Sequence, residues 1–367
     1  MLRIYYDSQI FSWQDYGGIS RYYTELILEL SDIKHIQVDC NIRYSNNYYL
    51  NNERIFHNKK FLPNRYFFGK YTLVGLVNRI FEIPAISRRN YDIFHPTYYN
   101  PYFLNWIGNK PFVLTIYDMI HERFEEVRTA DRKSSERKRI LAGRARRIIA
   151  ISENTKNDIV RYFGIAPDKI DVIPIGVSAQ PEKSESTGIR LPSRYILYVG
   201  ERKRYKNFHR FIRSVASILL EDKTLEVACA GGGKFTPEEV FLFNQLGVSG
   251  KIHQYSVPDK VLWALYRHAT AFIFPSLYEG FGIPVLEAFA CGCPVVLSNS
   301  SSLPGIAGDA AWYFDPEDEA SIRNGVLKVI YDADLRKNLI NKGYSRITDF
   351  SWEKIGRLTI KTYQSAC

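Results

Sequence analysis

Ser276-Leu-Tyr-Glu279-Gly280-Phe281-Gly282-Ile-Pro284-Val-Leu-Glu287-Ala-Phe-Ala-Cys-Gly292-Cys-Pro294-Val-Val is the stretch whose reading decides the fold. Just before it, Ala271-Phe-Ile-Phe274 is a short, continuous apolar run, the pattern of a strand covered on both faces of its sheet. Pro284 suits the first turn of a helix, and Gly292 suits the residue past its end. Pro294 and a Val-Val-Leu strand follow. A strand, a glycine turn, a helix and a second strand in this order predict a parallel α/β sheet. The first amides of such a helix have no intrahelical partner and carry the positive end of its dipole. The Glu279-to-Gly282 turn is therefore a seat for an anion or a row of hydroxyls.

Two carboxylates punctuate the stretch, Glu279 at the mouth of the predicted helix and Glu287 eight residues on. Eight helical residues rise about 12 Å, beyond the roughly 5 to 9.5 Å that separates the paired carboxylates of a glycosidase. The spacing suits two acids holding different parts of one long ligand. The pattern P-S-x-x-E-G-F-G-x-P-x-x-E-A-x-A-x-G-x-P-V resembles the E-x7-E motif of the retaining GT-B glycosyltransferases of glycosyltransferase family four, in its mannosyltransferase-like form. In that family the first Glu contacts the donor sugar and the second the ribose of its nucleotide. The resemblance implies two doubly wound, Rossmann-like parallel-sheet domains facing a cleft.

Composition sets the outer limits. At 367 residues the chain is long for one domain and comfortable for two. Its 46% hydrophobic and 24% charged residues are those of an ordinary globular protein. No apolar run reaches the length of a membrane-spanning helix, and Met-Leu-Arg-Ile-Tyr-Tyr-Asp turns polar before any signal-like region forms. The cytoplasm is the expected location, with peripheral attachment to the inner face of a membrane as its variant. Five cysteines without C-x2-C spacing suggest neither a disulfide framework nor a zinc site. Lys plus Arg outnumber Asp plus Glu 49 to 39, so the net charge of +10 favours anionic partners.

The chain opens with a strand at Leu2 to Asp7, Gly17-Gly18, and a helix on which Ile19, Tyr22, Tyr23, Leu26, Ile27 and Leu30 form one face. Gly17 and Gly18 are either a plain tight turn or, as the resemblance implies, a loop facing the donor diphosphate. From Arg43 to Phe103, tyrosine, asparagine and phenylalanine crowd together with basic residues, including Asn64 to Lys70. Such interleaving can bind single-stranded nucleic acid, line a sugar-acceptor site or form a membrane-facing edge. No RNA-binding signature accompanies it, and the reading is of no nucleic acid. Strands are predicted at Tyr91 to Pro96, Pro111 to Asp118, Arg147 to Ser152 and Ile170 to Gly176.

Ligands of such sheets collect at the carboxyl ends of strands. Tyr117-Asp118-Met-Ile-His121 falls at one such end and resembles the family's strand-end H-D segment, with Tyr117 where His is usual. Asp118 and His121 are candidates for orienting or deprotonating an acceptor hydroxyl, or are strand-end caps. Arg128 to Arg147 carries nine basic and two acidic residues. It reads as a solvated helix face or as a contact with an anionic membrane. Ser152-Glu-Asn-Thr155 resembles the family's S-E-x-T turn and also reads as a helix cap.

The polar, breaker-rich stretch 177–193 is the expected linker. It divides a domain at 1–176, the acceptor side by resemblance, from a donor-binding domain at 194–349. A closing helix at 350–367 returns to the first domain in that family. In the second domain, Tyr195 to Gly200 is a strand, and Phe208, Phe211, Ile212, Val215, Ala216 and Leu219 mark a helix. Between them, Gly200-Glu-Arg202-Lys-Arg-Tyr-Lys206-Asn207 is a basic loop ahead of helix amides, suited to a diphosphate leaving group. It resembles the family's G-x-R-x-x-x-K-N loop, which makes Arg202 and Lys206 the diphosphate clamp. Leu225 to Lys234 is a strand ending in glycines, where the family admits the nucleotide base. Gly305 stands where the family often has Glu.

Asp332-Ala-Asp334 matches a metal-binding D-x-D in letters, yet its setting is that of a helix cap. No metal and no cofactor are expected; the nucleotide sugar is a substrate. The reading is a retaining, metal-independent hexosyltransferase, with mannose the favoured sugar and a glycan or lipid-linked acceptor. Donor-site residues are Gly17, Gly18, Arg202, Lys206, Gly280, Phe281, Gly282 and Glu287; Glu279, Asp118 and His121 are the catalytic candidates. A nucleotide-sugar epimerase of the same fold and a basic nucleic-acid-binding protein are the alternatives.

Overall fold

A computed structural model describes residues 1–50, 55–63, 65–177, 190–255 and 259–367, without the side chains at 128, 130, 259 and 260. Asn64, Ser256 and most of the stretch expected as a linker, 178–189, lie outside the described residues. The chain forms two compact units, Met1–Gly176 with Trp352–Cys367, and Val177–Ser351.

In the first unit, strands β1 (Leu2–Tyr6), β2 (Ile36–Cys40) and β3 (Ile93–His95) form one parallel sheet in the order β2-β1-β3. Strands β4 (Val113–Ile116), β5 (Arg147–Ala150) and β6 (Ile170–Val172) form another in the order β4-β5-β6. A parallel bridge between Phe94 and Phe112 joins them. The helix Gly18–Ser31 buries Tyr22, Tyr23, Leu26, Ile27 and Leu30, the face its spacing predicts. The last helix, Trp352–Ala366, packs on that helix and on β5. There the Tyr363 hydroxyl meets His95 Nδ1 at 2.6 Å, and His95 Nε2 meets Thr115 Oγ1 at 2.9 Å.

The helix Arg132–Arg144 carries much of the basic run, and Arg132, Lys138 and Arg139 in it have protein partners. Lys138 is 1% exposed and donates to Glu122 and to the Asp118 carbonyl. Arg147 pairs with Asp171, Arg132 with Glu136, and Arg139 donates to the Tyr162 carbonyl.

The second unit is one six-stranded parallel sheet, β12-β11-β10-β7-β8-β9. Its strands are β7 (Tyr195–Val199), β8 (Glu226–Ala230), β9 (Ile252–Tyr255), β10 (Ala271–Phe274), β11 (Val295–Ser298) and β12 (Trp312–Phe314). Strands β7 and β10 are adjacent, and the order runs outward from them in both directions, the doubly wound arrangement. All of β10 is buried, which explains its unbroken apolar sequence. The helix Phe208–Glu221 sinks Phe208, Phe211, Ile212, Val215 and Leu219 into the same core, at roughly 1.5–3 kcal/mol for each large side chain.

The deciding stretch folds nearly as its residues indicate, with one correction. The helix runs Ile283–Ala290 with Gly282 at its N-cap and Pro284 in its first turn. Glu279 therefore stands on the preceding loop, and the eight-residue helical rise does not apply to its distance from Glu287. Gly292 has φ 64°, and a Cβ there would meet the Tyr344 hydroxyl, so only glycine ends this helix cleanly. Asp332 caps the helix Ala333–Ile347 by accepting from the Leu335 amide and pairs with Lys328. Among the described residues no group of three or more metal-ligating side chains is assembled, and no helix is long and apolar enough to cross a membrane.

Candidate active site

Where a doubly wound sheet reverses its winding, the loops leaving the two central strands diverge and open a crevice at their carboxyl ends. In the second unit those loops are 200–207 after β7 and 275–282 after β10. The Leu277 amide donates to the Tyr205 carbonyl at 2.8 Å, which ties the two loops together. Beside that link, Lys206 Nζ stands 2.6 Å from Glu279 Oε1, with the two side chains only 16% and 10% exposed. A cation and a carboxylate 73 residues apart thus meet at the mouth of the Ile283–Ala290 helix.

The Glu279 loop is held by serines that follow β11. The Glu279 amide donates to Ser301 Oγ at 2.9 Å. Ser302 Oγ in turn donates to the carbonyls of Glu279 and Phe281, each at 2.9 Å, and Ser300 Oγ donates to that of Leu277. At Gly282 φ is 107°, and a Cβ would lie 2.8 Å from Leu303 Cδ2. The chain can thus turn into the helix here only without a side chain. Phe281 is buried edge-on against Phe350. Glu287, one face further along the helix, is buried and accepts from the Tyr266 hydroxyl at 3.2 Å. Burial, and then Glu287 itself, push the Tyr266 phenol well above its ordinary range, so it remains a donor.

Arg202, the other residue expected at the diphosphate, is anchored in the glycine loop after β8. Its side chain is 4% exposed, and Nε donates to Glu239 Oε1 at 2.7 Å. Its terminal nitrogens donate to the carbonyls of Gly231, Gly232, Gly233 and Lys234. Those three glycines have φ 86°, 72° and 71°, a run of left-handed residues that turns successive carbonyls toward one guanidinium. Arg202 and Glu239 hold the glycine loop after β8, and Lys206 is the member of the pair that reaches Glu279. Asn207, with φ 59°, donates to the Pro316 carbonyl and positions the start of the Phe208–Glu221 helix.

The remaining candidates belong to the first unit. Gly17 is the N-cap of the Gly18–Ser31 helix and has extended backbone, with its carbonyl accepting from Ser20 Oγ. Asp118 Oδ1 accepts from the Ile120 amide at the start of the four-residue helix Ile120–Arg123, which carries His121. His121 Nε2 lies 3.9 Å from Asp131 Oδ2. Tyr117 is buried against the rings of Tyr22, Tyr23 and Tyr99.

Sequence reasoning missed Ser301, Ser302, Glu239 and Tyr266. The run of serines after β11 was the visible sign, since a hydroxyl cluster directly after a buried strand has backbone groups to satisfy. Thr236-Pro-Glu-Glu239 has the spacing of a capping box, which the structure forms, and that sign pointed to Glu239; no comparable sign marked Tyr266.

Comparison with known proteins agrees with the fold. Residues 16–180 match the family model described as Glycosyltransferase Family 4, and residues 179–346 match the one described as Glycosyl transferases group 1. A relative from Escherichia coli, O-antigen chain mannosyltransferase B, is 30% identical over 60% of this chain and 61% of its own. The MMP alpha-(1->4)-mannosyltransferase of Mycolicibacterium hassiacum is 28% identical over 60% of this chain and 54% of its own. These matches span little more than half the length of either relative. Among solved structures, sucrose-phosphate synthase from Thermosynechococcus elongatus aligns over 99% of this chain and 98% of its own, with TM-score 0.75 and 18% identity. Anabaena Alr3699/HepE in complex with UDP and glucose aligns over 99% of this chain and 100% of its own, with TM-score 0.74 and 16% identity. The chain therefore carries a Glycosyltransferase Family 4 domain followed by a Glycosyl transferases group 1 domain, on the two-domain, Rossmann-like GT-B fold.

Proposed function

We propose that the chain is a retaining glycosyltransferase that moves a sugar, mannose, from a nucleotide-diphosphate sugar to a glycan or lipid-linked acceptor in bacterial surface-polysaccharide assembly. The observation that carries this reading is the Lys206–Glu279 pair at the mouth of the Ile283–Ala290 helix. Departure of a nucleoside diphosphate builds negative charge on the leaving oxygens. A fixed ammonium and the positive end of the helix dipole stabilise that charge without reorganising. An ammonium has three donors, so Lys206 can hold Glu279 and a phosphate oxygen together. Glu279 then takes hydroxyls of the donor sugar, and Glu287 takes those of the ribose. Arg202 acts on the donor through the glycine loop it holds, where a flat base meets backbone and no side chain. In the first unit, Asp118 and His121 serve the acceptor hydroxyl. The names of the relatives, an O-antigen chain mannosyltransferase and an MMP alpha-(1->4)-mannosyltransferase, support the choice of sugar.

With these groups the leaving diphosphate has its counter-charge from the protein, and transfer needs no metal. The test is a thermal-shift screen over nucleotide sugars, in which a bound donor at 100 times its dissociation constant adds about 2.7 kcal/mol. Proton NMR of the product formed in excess chelator follows. The expected result is an α-linked product from an α-linked donor. An inverted product, or activity that returns only with manganese, sinks the mechanism. Conversion of the donor with no acceptor present identifies an epimerase instead.

A further inference from the structure

The helix Lys70–Arg88 buries two polar side chains among apolar ones and leaves a row of apolar side chains exposed. Its inward face carries Val74, Asn78, Glu82 and Ile86, and the two polar members, Asn78 and Glu82, are fully buried. Asn78 accepts from the Tyr44 amide and donates to the Tyr44 carbonyl and Ser12 Oγ. Glu82 accepts from the Ser8 amide and the Tyr102 hydroxyl. The inward face is thus locked to the domain by satisfied hydrogen bonds. The outward face carries Leu73, Leu76, Ile80 and Phe81, with Leu76 51% and Ile80 67% exposed. These positions fall on one stripe of the helix. The turn ahead of it adds exposed Tyr66, Phe67 and Phe68. A continuous apolar stripe of this kind marks a docking surface.

Charge identifies the partner. Residues 55–63 and 65–89 contain seven basic residues and a single acid, Glu82, which is buried. Lys59, Lys60, Arg65, Arg88 and Arg89 are exposed around the stripe. Leu73, Leu76 and Ile80 offer nothing that a phosphate backbone could hold, whereas apolar side chains rimmed by cations suit the boundary between acyl chains and anionic headgroups. The helix is neither apolar enough to span a bilayer nor free to turn over, since its other face is bonded inward. It must lie in the plane of the surface.

We propose that the 66–68 turn and the outer stripe of the Lys70–Arg88 helix dock this protein on an anionic lipid bilayer. The aliphatic side chains enter the interface, and Lys59, Lys60, Arg65, Arg88 and Arg89 meet the headgroups. Unlike 128–147, where Lys138, Arg147, Arg132 and Arg139 have protein partners, this surface joins its cations to an apolar stripe. The contact does not depend on the transfer reaction.

Flotation with phosphatidylcholine vesicles, with and without phosphatidylglycerol, tests the assignment on the full chain. The parent is expected to float only with the anionic lipid, and more weakly as salt shortens the Debye length from about 10 Å at 0.1 M. The triple variant L73Q/L76Q/I80Q keeps its helix propensity and should lose at least about tenfold in partitioning, about 1.4 kcal/mol. As an independent reporter, tryptophan fluorescence of F68W should shift to the blue on anionic vesicles. Should the triple variant fail to fold, K59S/K60S/R65S in the F68W background decides, and its shift should vanish. A parent that does not float, parent and variants that float alike, or flotation with unshifted F68W emission each overturn the proposal. So does a dimer, seen by light scattering, that the triple variant dissolves while vesicles go unbound.

Discussion

Lys206 and Glu279 form an ion pair at 2.6 Å across two loops that leave adjacent strands at the point where the sheet reverses its winding. Both side chains are largely withdrawn from water, so each charge depends on the other for solvation. The pair is at once an element of loop architecture and the centre of the proposed donor site, and the two roles separate by experiment.

Glu279→Gln keeps the shape and the acceptor oxygen, and its amide still donates to Ser301. The variant should stay folded and bind free nucleoside diphosphate nearly as the parent does, while sugar transfer falls at least about a hundredfold, the scale of one lost electrostatic contact. A double-mutant cycle with Lys206→Met should give a coupling of about 0.5–3 kcal/mol in stability. Turnover within a few-fold of the parent removes Glu279 from the mechanism.

Arg202→Lys retains the charge and loses the fork. A lysine has no planar fork with which to bond Glu239 and several carbonyls together. Nucleotide affinity should drop by about tenfold or more, with the three left-handed glycines loosened. Hydrogen exchange at 231–234 measures the second effect directly, and unchanged protection there contradicts the bracing role.

Gly282→Ala places a Cβ 2.8 Å from Leu303 Cδ2 on a backbone with φ 107°. The strain should cost about 1–3 kcal/mol, read as a fall in urea midpoint. The same change at Gly250, where a Cβ meets nothing within 4 Å, serves as the control and should be near neutral. Equal effects at the two sites would count against the geometry.

His95 is fully buried between Tyr363 and Thr115, and burial lowers its pKa to about 3. An unfolded histidine takes a proton below about pH 6.5, and the folded one does not. Below that pH the unfolded state binds the extra proton, so the stability contributed by His95 is lost as pH falls from 6.5 toward 3. The stability gap between the parent and His95→Gln should narrow by roughly 2 kcal/mol from pH 6.5 to 5. Glu82 works in the other direction. Burial and the neighbouring Asp7 hold its carboxyl well above the usual range. The folded state therefore keeps a proton that the unfolded chain releases, and the parent loses stability as pH rises above about 4.5. Glu82→Gln should gain on the parent over that rise. Thermal unfolding across the pH series reads both, and pH-independent differences refute them.

Some elements were legible because one physical requirement dominated each of them. Ala271–Phe274 is buried on both faces, so every residue had to be apolar. The Ile283–Ala290 helix is bounded by Gly282 and Gly292, each in a left-handed conformation that excludes a side chain. Lys206 and Glu279 were nameable one at a time, as a cation before one helix and an acid before another. Their meeting was not, because it depends on β7 and β10 being neighbours although the register partners Ile196 and Ala271 are 75 residues apart. Arg202 shows the complementary limit. A basic residue in a glycine-ended loop reads as a phosphate ligand, and only the fold shows that Glu239 and four carbonyls also hold it.

What the sequence by itself determined is the set of local conformations: apolar strands, periodic helices, and glycines at left-handed turns, since each follows from forces within a few residues. Which face of an element turns inward is a different matter, because it depends on partners distant in the chain. The periodic apolar residues of Lys70–Arg88 would ordinarily be assigned to the core. Only the tertiary structure supplies Tyr44, Ser12, Ser8 and Tyr102 as hydrogen-bond partners for Asn78 and Glu82. Once those buried polar groups are satisfied, Leu73, Leu76 and Ile80 have no place in the core and face outward.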